Sequence, residues 1–257
     1  NLFGLVKFYS ASIKNGIKPI IGADTYIKYE DRISTGLFIV KNNLGYKQLS
    51  SLISKAYFEN YQGNKPIINF EWLNLENTSG LVFINGGTKT LLTDYIQSGQ
   101  ETDSNVLIDK FLKIFDDRFY LEIMRIDSNQ SFHNSIFEIA HSKGIPLIAT
   151  HPIYFLNKED FDSHEIKVCI SSGRKVNDPH KENKFFKEQY FKSSEEMHQV
   201  FSDLPELIQN TNELAKRCNF YLKTGKINLP TYATPHNKDI NTYLTDQAQF
   251  GLNSKLD

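Results

Sequence analysis

Short apolar runs rich in β-branched residues alternate with segments whose apolar residues recur at helical spacing, and this alternation most constrains the fold. The runs predict strands at residues 17–27, 36–42, 81–86, 119–126 and 145–150. The periodic segments predict helices at residues 44–60, 104–115, 131–144, 193–201 and 204–219, with a further helix beginning near Asp239. Strands separated by helices with short connections are typical of parallel β/α units, in an open sheet or a barrel. We therefore predict an α/β fold.

Folds of this kind place their chemistry at the carboxyl ends of the strands. Three predicted strands end in polar stretches: GADTY (22–26), EIMRID (122–127) and ATHPIYF (149–155). The last of these opens IATHPIYFLNKEDFDSHE (148–165), which holds two histidines and four carboxylates. Imidazole and carboxylate groups are common metal ligands, so composition alone indicates a metal site here.

Charge and cysteine content narrow the class of protein. The net charge is −1 over 257 residues, so no overall field attracts the chain to nucleic acid or to an anionic membrane. No apolar run approaches the roughly 20 residues needed to span a bilayer. The two cysteines, Cys169 and Cys218, lie far apart without CxxC spacing, which indicates a reducing compartment and no thiolate metal site. We expect a cytoplasmic protein that does not contact membranes.

Both ends of the sequence suggest a segment of a longer chain. It begins with Asn1 rather than Met and enters a helical pattern at once, and its last residues, TYLTDQAQFGLNSKLD, stop within another. Residues 227–240 form a connector rich in proline and polar residues. We predict one domain over residues 1–229, incomplete at its amino terminus, and a linker with the start of a following region over 230–257.

Eight stretches, in this order and at similar spacing, carry a family resemblance. They are NLFGLVKFY, NGIKPIIGAD, NNLGYKQLSSLISKAY, RFYLEI, GIPLIAT, DFDSHEIKVCI, SSEEM and ELAKRCN. Together they resemble the amino-terminal polymerase-and-histidinol-phosphatase (PHP) domain of bacterial replicative DNA polymerase III alpha subunits, from residue 1 to at least 230. The remainder resembles the start of the following palm or thumb region of the polymerase.

The resemblance implies a fold, an activity and partners. The expected fold is a PHP-type distorted β/α barrel, similar to a TIM barrel, with its first strand region preceding Asn1. Metal-competent members hold a trinuclear metal cluster at the carboxyl ends of the strands. The parent protein is expected to be a DNA-directed DNA polymerase of chromosomal replication, with Mg²⁺ in a polymerase site outside these residues. Its expected partners are primer-template DNA, a proofreading exonuclease subunit bound to the PHP domain, and other replicase subunits.

The family's metal ligands can be traced position by position. Four of them, including a His-x-His pair, would precede Asn1. The glutamate of a GxE motif corresponds to Asp24, and a histidine four residues after the Glu of EI corresponds to Ile126. A final Asp-x-His corresponds to Pro152 and Tyr154. Isoleucine and proline have no donor atom, and tyrosine rarely binds zinc-like ions. The resemblance therefore implies a degenerate site, with no metal, no cofactor and no catalytic residue in this segment.

The conspicuous histidines have plainer interpretations. As a metal ligand His151 would need partners, and a hydrogen-bonded histidine at the mouth of the barrel is the favoured alternative. His164 and Glu165 lie in a helical pattern, where a capping or packing role is favoured over catalysis. His133 and His141 lie eight residues apart on one predicted helix, so they do not converge.

Two further features also have simple interpretations. The paired glycines of INGGTK (84–89) lack the GxxxxGK[ST] spacing of a phosphate loop, which favours a turn after a strand. Asp24 could retain a single weakly bound ion, although a solvated or salt-bridged carboxylate at the end of a strand is favoured.

Two hypotheses for this segment remain open. In the first, it is a catalytically degenerate structural module that supports the polymerase and docks the exonuclease subunit. In the second, it is a metal-dependent phosphoesterase, either a 3′–5′ exonuclease or a pyrophosphatase. The residues at positions 126, 152 and 154 favour the first hypothesis, because a multinuclear site needs several converging ligands.

Overall fold

The structure, a computed structural model, describes residues 1–87, 90–126, 131–176, 178, 185–225 and 229–256, and for residues 131 and 132 only the backbone. Two compact units are present, Asn1–Tyr221 and Leu222–Asp257. The functional features predicted above fall in the first unit. The predicted boundary between residues 229 and 230 stays a prediction.

The described residues of the first unit form a seven-stranded mixed sheet. Its strands are β1 (Gly22–Tyr29), β2 (Arg32–Val40), β3 (Tyr61–Gln62), β4 (Lys65–Asn69), β5 (Leu81–Asn85), β6 (Phe119–Met124) and β7 (Leu147–Thr150). Their order in the sheet is β3-β4-β1-β2-β5-β6-β7. The α/β class is confirmed, and this sheet is compatible with the distorted barrel that the resemblance implies.

Helices connect and cover the strands. They are α1 (Leu5–Lys14), α2 (Asn43–Glu59), α3 (Leu75–Thr78), α4 (Leu91–Gln97), α5 (Glu101–Phe115), α6 (Ser131–Lys143), α7 (Phe161–Ser172), α8 (Ser194–Val200), α9 (Pro205–Arg217) and, in the second unit, α10 (Ile240–Leu256). Short 3₁₀ turns lie at Phe70–Trp72, Asp116–Arg118, Lys158–Asp160 and Pro235–Asn237. The five helices predicted with both bounds are confirmed within about three residues at each end, and the helix predicted to begin near Asp239 begins at Ile240.

The strand directions are only partly as predicted. Strands β5, β6 and β7 are parallel neighbours, but β2 pairs antiparallel with both β1 and β5. The predicted parallel arrangement is therefore confirmed for β5, β6 and β7 but does not hold for β2. Only Glu30 and Asp31 separate β1 from β2, and a connection this short permits only an antiparallel hairpin.

One face of the sheet packs against α9. Successive residues of a strand point to opposite faces, so alternate residues share a face. The buried cluster on this face consists of Val82, Ile84, Tyr120 and Ile148 from the strands with Leu214 and Cys218 at the end of α9. Because α9 covers only part of this face, the strand residues beyond the cluster remain open to a cleft.

The opposite face carries an aromatic core against α5. The ring of Phe83 on β5 lies 4.9 Å from Phe38 on β2, measured between ring centroids. It lies 4.7 Å from Phe111 and 5.0 Å from Phe115, both on α5. Phe38, Phe83 and Phe115 are fully buried. Aromatic packing of this density fixes α5 and, with it, the position of the sheet beneath the cleft.

Side chains of α9 cap the outer edge of β7. The Thr211 hydroxyl accepts a hydrogen bond from the Ala149 backbone N–H (3.1 Å) and lies 3.0 Å from the Ala149 carbonyl oxygen. The Asn210 side-chain amide donates to the Leu147 carbonyl (2.8 Å). These contacts satisfy backbone groups that would otherwise pair with another strand, so α9 protects this edge from unwanted association.

The second unit contains α10 and the chain that precedes it. The Asp239 carboxylate accepts a hydrogen bond from the Thr242 backbone N–H (3.0 Å) and caps the amino terminus of α10, which confirms the predicted start of this helix. Lys238 and Asp246 form an ion pair, and the rings of Tyr232 and Tyr243 stack at 6.0 Å. Among the helices that the structure describes, none is long and apolar enough to cross a membrane.

Candidate functional site: a cleft with an acidic floor

A cleft of about 700 Å³ opens on the same face of the sheet as α9, over the strand residues that α9 leaves uncovered. Its floor comes from four strands, and residues two apart on each strand share it, as the pleat requires. The floor residues are Asp24 and Tyr26 of β1, Thr35 and Leu37 of β2, Glu122 and Met124 of β6, and Thr150 of β7. The walls follow the carboxyl ends of β5, β6 and β7 and include Gly87, Thr90, Ile126, His151, Pro152, Ile153 and Tyr154, with Phe186 and Gln189.

Glu122 is the most unusual group in this cleft. The residue is only 6% exposed, and it is the one acid in a strand whose other residues are apolar or aromatic. Burial raises the pKa of its carboxyl from 4.5 to about 7, and the nearby charge of Asp24 acts in the same direction. Hydrogen bonds from the Thr150 hydroxyl (2.8 Å) and the Gly87 backbone oppose this shift. Near neutral pH, Glu122 therefore changes between a neutral acid and a buried carboxylate.

A glycine makes room for the Glu122 carboxyl. A Cβ atom on residue 87 would lie 2.5 Å from Oε1 of Glu122, closer than carbon and oxygen can approach without displacement. The paired glycines of INGGTK thus allow the chain after β5 to pass close to β6. Gly87 also accepts a hydrogen bond from the Thr93 hydroxyl (2.7 Å), so the start of this turn is fixed to α4. The rest of the predicted turn, residues 88 and 89, lies outside the described residues.

Asp24 shares the floor with Glu122. Desolvation by the surrounding protein raises the pKa of its carboxyl even though the residue as a whole is exposed, and the ammonium group of Asn1 acts in the opposite direction. Asp24 is the third residue of β1, so the prediction that it ends a strand is wrong. It reaches the cleft because it lies on the same face of the sheet as Tyr26.

All four positions traced from the family's metal site line this one cleft: Asp24, Ile126, Pro152 and Tyr154. Ile126 and Pro152 contribute hydrocarbon surface and no donor atom. The Glu122 carboxyl already accepts hydrogen bonds from the Thr150 hydroxyl and the Gly87 backbone. Within the described residues, no group of three or more His, Cys, Asp or Glu side chains is arranged to hold a metal ion. The residues present do not fit a multinuclear metal cluster.

His151 forms part of the wall. One ring nitrogen, Nε2, lies 2.8 Å from the Glu188 carbonyl oxygen, and burial lowers the pKa of the imidazole. The segment that carries Glu188 is fixed to the chain after β7, because the Tyr154 N–H donates to the Gln189 carbonyl (3.0 Å) and the Phe191 N–H to that of Phe155 (3.1 Å). His151 is thus a hydrogen-bonded histidine at the mouth of the cleft.

The other histidines do not join the floor. The ring of His164 packs among aromatic rings, with centroids 4.6 Å from Phe185 and 5.4 Å from Phe155. On α6, His133 is buried and His141 is exposed. None of the three is among the residues that line the cleft. The packing role expected for His164 agrees with these contacts, and the dense histidines and acids of residues 148–165 do not converge.

Glu122 was not predicted as a site residue. In the sequence this glutamate only marks the motif from which the ligand position at Ile126 is counted. A signal was nonetheless present, because FYLEIM is a buried strand interrupted by one acid. Carboxylates are seldom fully buried without a specific reason, so a single acid in such a strand indicates a special environment.

Comparison with known protein families agrees with this geometry. The PHP domain family matches residues 1–126. The whole chain is 36% identical to the DNA polymerase III subunit alpha of Pseudomonas fluorescens over 262 residues, which is 22% of that protein. Identity to the same subunit of Escherichia coli strain K12 is 36% over 263 residues (22% of that protein), and to that of Neisseria meningitidis serogroup A it is 35% over 263 residues (23%).

The chain thus spans about a fifth of the length of the curated relatives that it matches. The match covers all of the chain, and the PHP match includes Asp24 and Ile126 of the cleft. The chain is therefore similar over its whole length to part of the DNA polymerase III alpha subunits, and its first half matches the PHP domain family.

Proposed function

We propose that the protein is part of the catalytic alpha subunit of a bacterial DNA polymerase III, which performs template-directed DNA synthesis in the cytoplasm. Polymerisation, and the Mg²⁺ ions that it needs, belong in this proposal to a site outside these residues. The similarity over the whole chain to alpha subunits from three bacterial groups supports this assignment.

Residues 1–229 serve in this proposal as a structural and partner-docking module without hydrolytic activity of their own. One observation carries this role: the positions where the family binds metal converge on one cleft, but Ile126 and Pro152 supply hydrocarbon there. A phosphoesterase of this family would need metal ligands at those positions to activate water. The docked partner is the proofreading exonuclease subunit, which would supply the hydrolysis that this cleft lacks.

Hydrogen–deuterium exchange tests the docking role directly. The complete natural polypeptide would be measured alone and with the purified exonuclease subunit of the same organism. We expect a stable complex whose formation slows amide exchange within residues 1–229. A control with an unrelated exonuclease should leave exchange unchanged. Failure to form a complex, or slower exchange confined to regions outside residues 1–229, would contradict the docking role.

A further inference from the structure

The cleft combines acid groups on its floor with apolar walls. Asp24 and Glu122 both face it, and Met124, Ile126 and Pro152 line it with hydrocarbon. No lysine or arginine side chain is among the described residues that line it, and none of the ion pairs between described residues involves Asp24 or Glu122. The cleft is therefore complementary to a group that is cationic at one end and apolar along its length.

The rim of the cleft extends this apolar surface outward. Ile153 and Tyr154 are each 47% exposed, and Phe186 is 42% exposed. Single exposed apolar residues are common, but these three line the mouth of one cavity. An apolar rim above a floor that holds two carboxyl groups suits a side chain that enters end-on from an apolar protein surface.

We propose that this cleft receives an arginine side chain from a protein partner. Its guanidinium lies between the carboxyls of Asp24 and Glu122, and its methylene groups lie against Ile126 and Pro152. This inference rests on the docking function proposed above and adds the chemistry of one contact.

Arginine fits this environment better than the other cationic candidates. Its planar guanidinium can donate to two carboxyl groups at once and is less strongly hydrated than the ammonium of lysine, which suits a partly apolar cleft. A divalent metal ion would need additional oxygen or nitrogen ligands where Ile126 and Pro152 stand. A nucleic-acid phosphate would be repelled by the two carboxyls.

Binding should be linked to the release of protons. A cation beside Glu122 favours its charged form, so the neutral acid loses its proton when the guest enters. The other titratable residues lining this cleft are Asp24, Tyr26, His151 and Tyr154, and the ammonium group of Asn1 also acts on the Asp24 carboxyl. Burial lowers the pKa of His151, so at neutral pH this imidazole is mainly uncharged and does not repel the guest.

Calorimetry with a short peptide tests the proposal. The complete natural polypeptide would be titrated with acetyl-Leu-Arg-Phe-amide and, as a matched neutral control, with the same peptide carrying citrulline. We expect the citrulline peptide to bind at least about tenfold more weakly, because it lacks the charge. Titrations at pH 7 in buffers of different ionisation enthalpy should show proton release with the arginine peptide.

Variants locate the binding site. Asp24→Asn and Glu122→Gln should each weaken arginine-peptide binding by about tenfold or more, since each removes one charged acceptor. Glu71→Gln, which removes an exposed carboxylate that does not line the cleft, should have no effect. Thermal unfolding of each variant confirms that it is folded. Equal affinity for the two peptides, undetectable binding of both, or unchanged affinity in both cleft variants would overturn the proposal.

The exonuclease experiment separates this inference from the proposed function. If the exonuclease subunit still slows exchange within residues 1–229 of the Asp24→Asn/Glu122→Gln double variant to the same extent, docking stands and the arginine contact fails. If the arginine peptide binds as expected but the exonuclease subunit causes no protection, the cleft proposal stands and the proposed partner is wrong.

Discussion

Replacing Glu122 with glutamine should make the protein more stable at alkaline pH and reduce the pH dependence of its stability. The folded protein raises the pKa of this carboxyl from 4.5 to about 7. The stabilising contribution of the protonated Glu122 carboxyl is therefore fully present below about pH 4.5 and is lost as the pH rises through 7. A shift of this size corresponds to about 3 kcal/mol in the free energy of unfolding. Glutamine keeps the shape of the side chain without a titrating proton.

Urea unfolding between pH 5 and 9 measures this effect. The difference in unfolding free energy between Glu122→Gln and the wild type should grow in favour of the variant across this range and level off above pH 8. In the wild-type background, Asp24→Asn should lower the pH at which the loss of unfolding free energy is complete, because Asp24 helps to raise the pKa of Glu122. Thr150→Val should move that pH upward, because it removes a hydrogen bond to the carboxylate. Parallel pH profiles for Glu122→Gln and wild type would contradict this account.

Replacing Arg118 with alanine should lower the free energy of unfolding by about 3 kcal/mol or more at every pH between about 5 and 9. Arg118 is 5% exposed and joins three segments beside the sheet. Its guanidinium donates to the carbonyl oxygens of Thr78, Leu81 (2.8 Å) and Ile114 (3.1 Å). Burial lowers the pKa of this guanidinium, while the carboxylates of Asp117 and Asp116 oppose that shift. Without it, buried carbonyl groups lose their charged donor.

Two matched variants separate the loss of the donors from the loss of packing. Arg118→Met retains most of the side-chain volume but donates no hydrogen bond, so it should lose nearly as much stability as alanine. Arg118→Lys keeps the charge, but its single nitrogen cannot take the positions of both guanidinium nitrogens that donate to these carbonyl groups, so an intermediate loss is expected. If methionine restored stability to within about 1 kcal/mol of the wild type, packing rather than hydrogen bonding would be the role of Arg118.

Much of the fold is visible in the sequence because local patterns and tertiary structure agree. The helix predicted at residues 44–60 is Asn43–Glu59, and the strand predicted at 81–86 is Leu81–Asn85. The hairpin between β1 and β2 was missed because Glu30 adopts a positive φ of 53°, a conformation usually supplied by glycine or asparagine. Strand β4 carries Pro66, which weakens a strand prediction.

The site was predictable in location but not in composition. The resemblance placed Asp24, Ile126, Pro152 and Tyr154 at one site, and the structure brings all four to one cleft. The importance of Glu122 depends on its burial and on the close approach of the chain at Gly87, which neither periodicity nor motif spacing encodes. Electrostatic properties of this kind follow from the packed structure rather than from local sequence.

Metal analysis of the complete natural polypeptide tests the central claim, that this cleft is a degenerate metal site in a docking module. After purification and equilibration with zinc or manganese followed by gel filtration, the account predicts no stoichiometric metal attributable to residues 1–229. It also predicts no metal-dependent hydrolysis of single-stranded DNA or pyrophosphate. Stoichiometric metal bound there, together with nuclease or pyrophosphatase activity that disappears when the metal is stripped, would contradict the account and identify the cleft as a working phosphoesterase site.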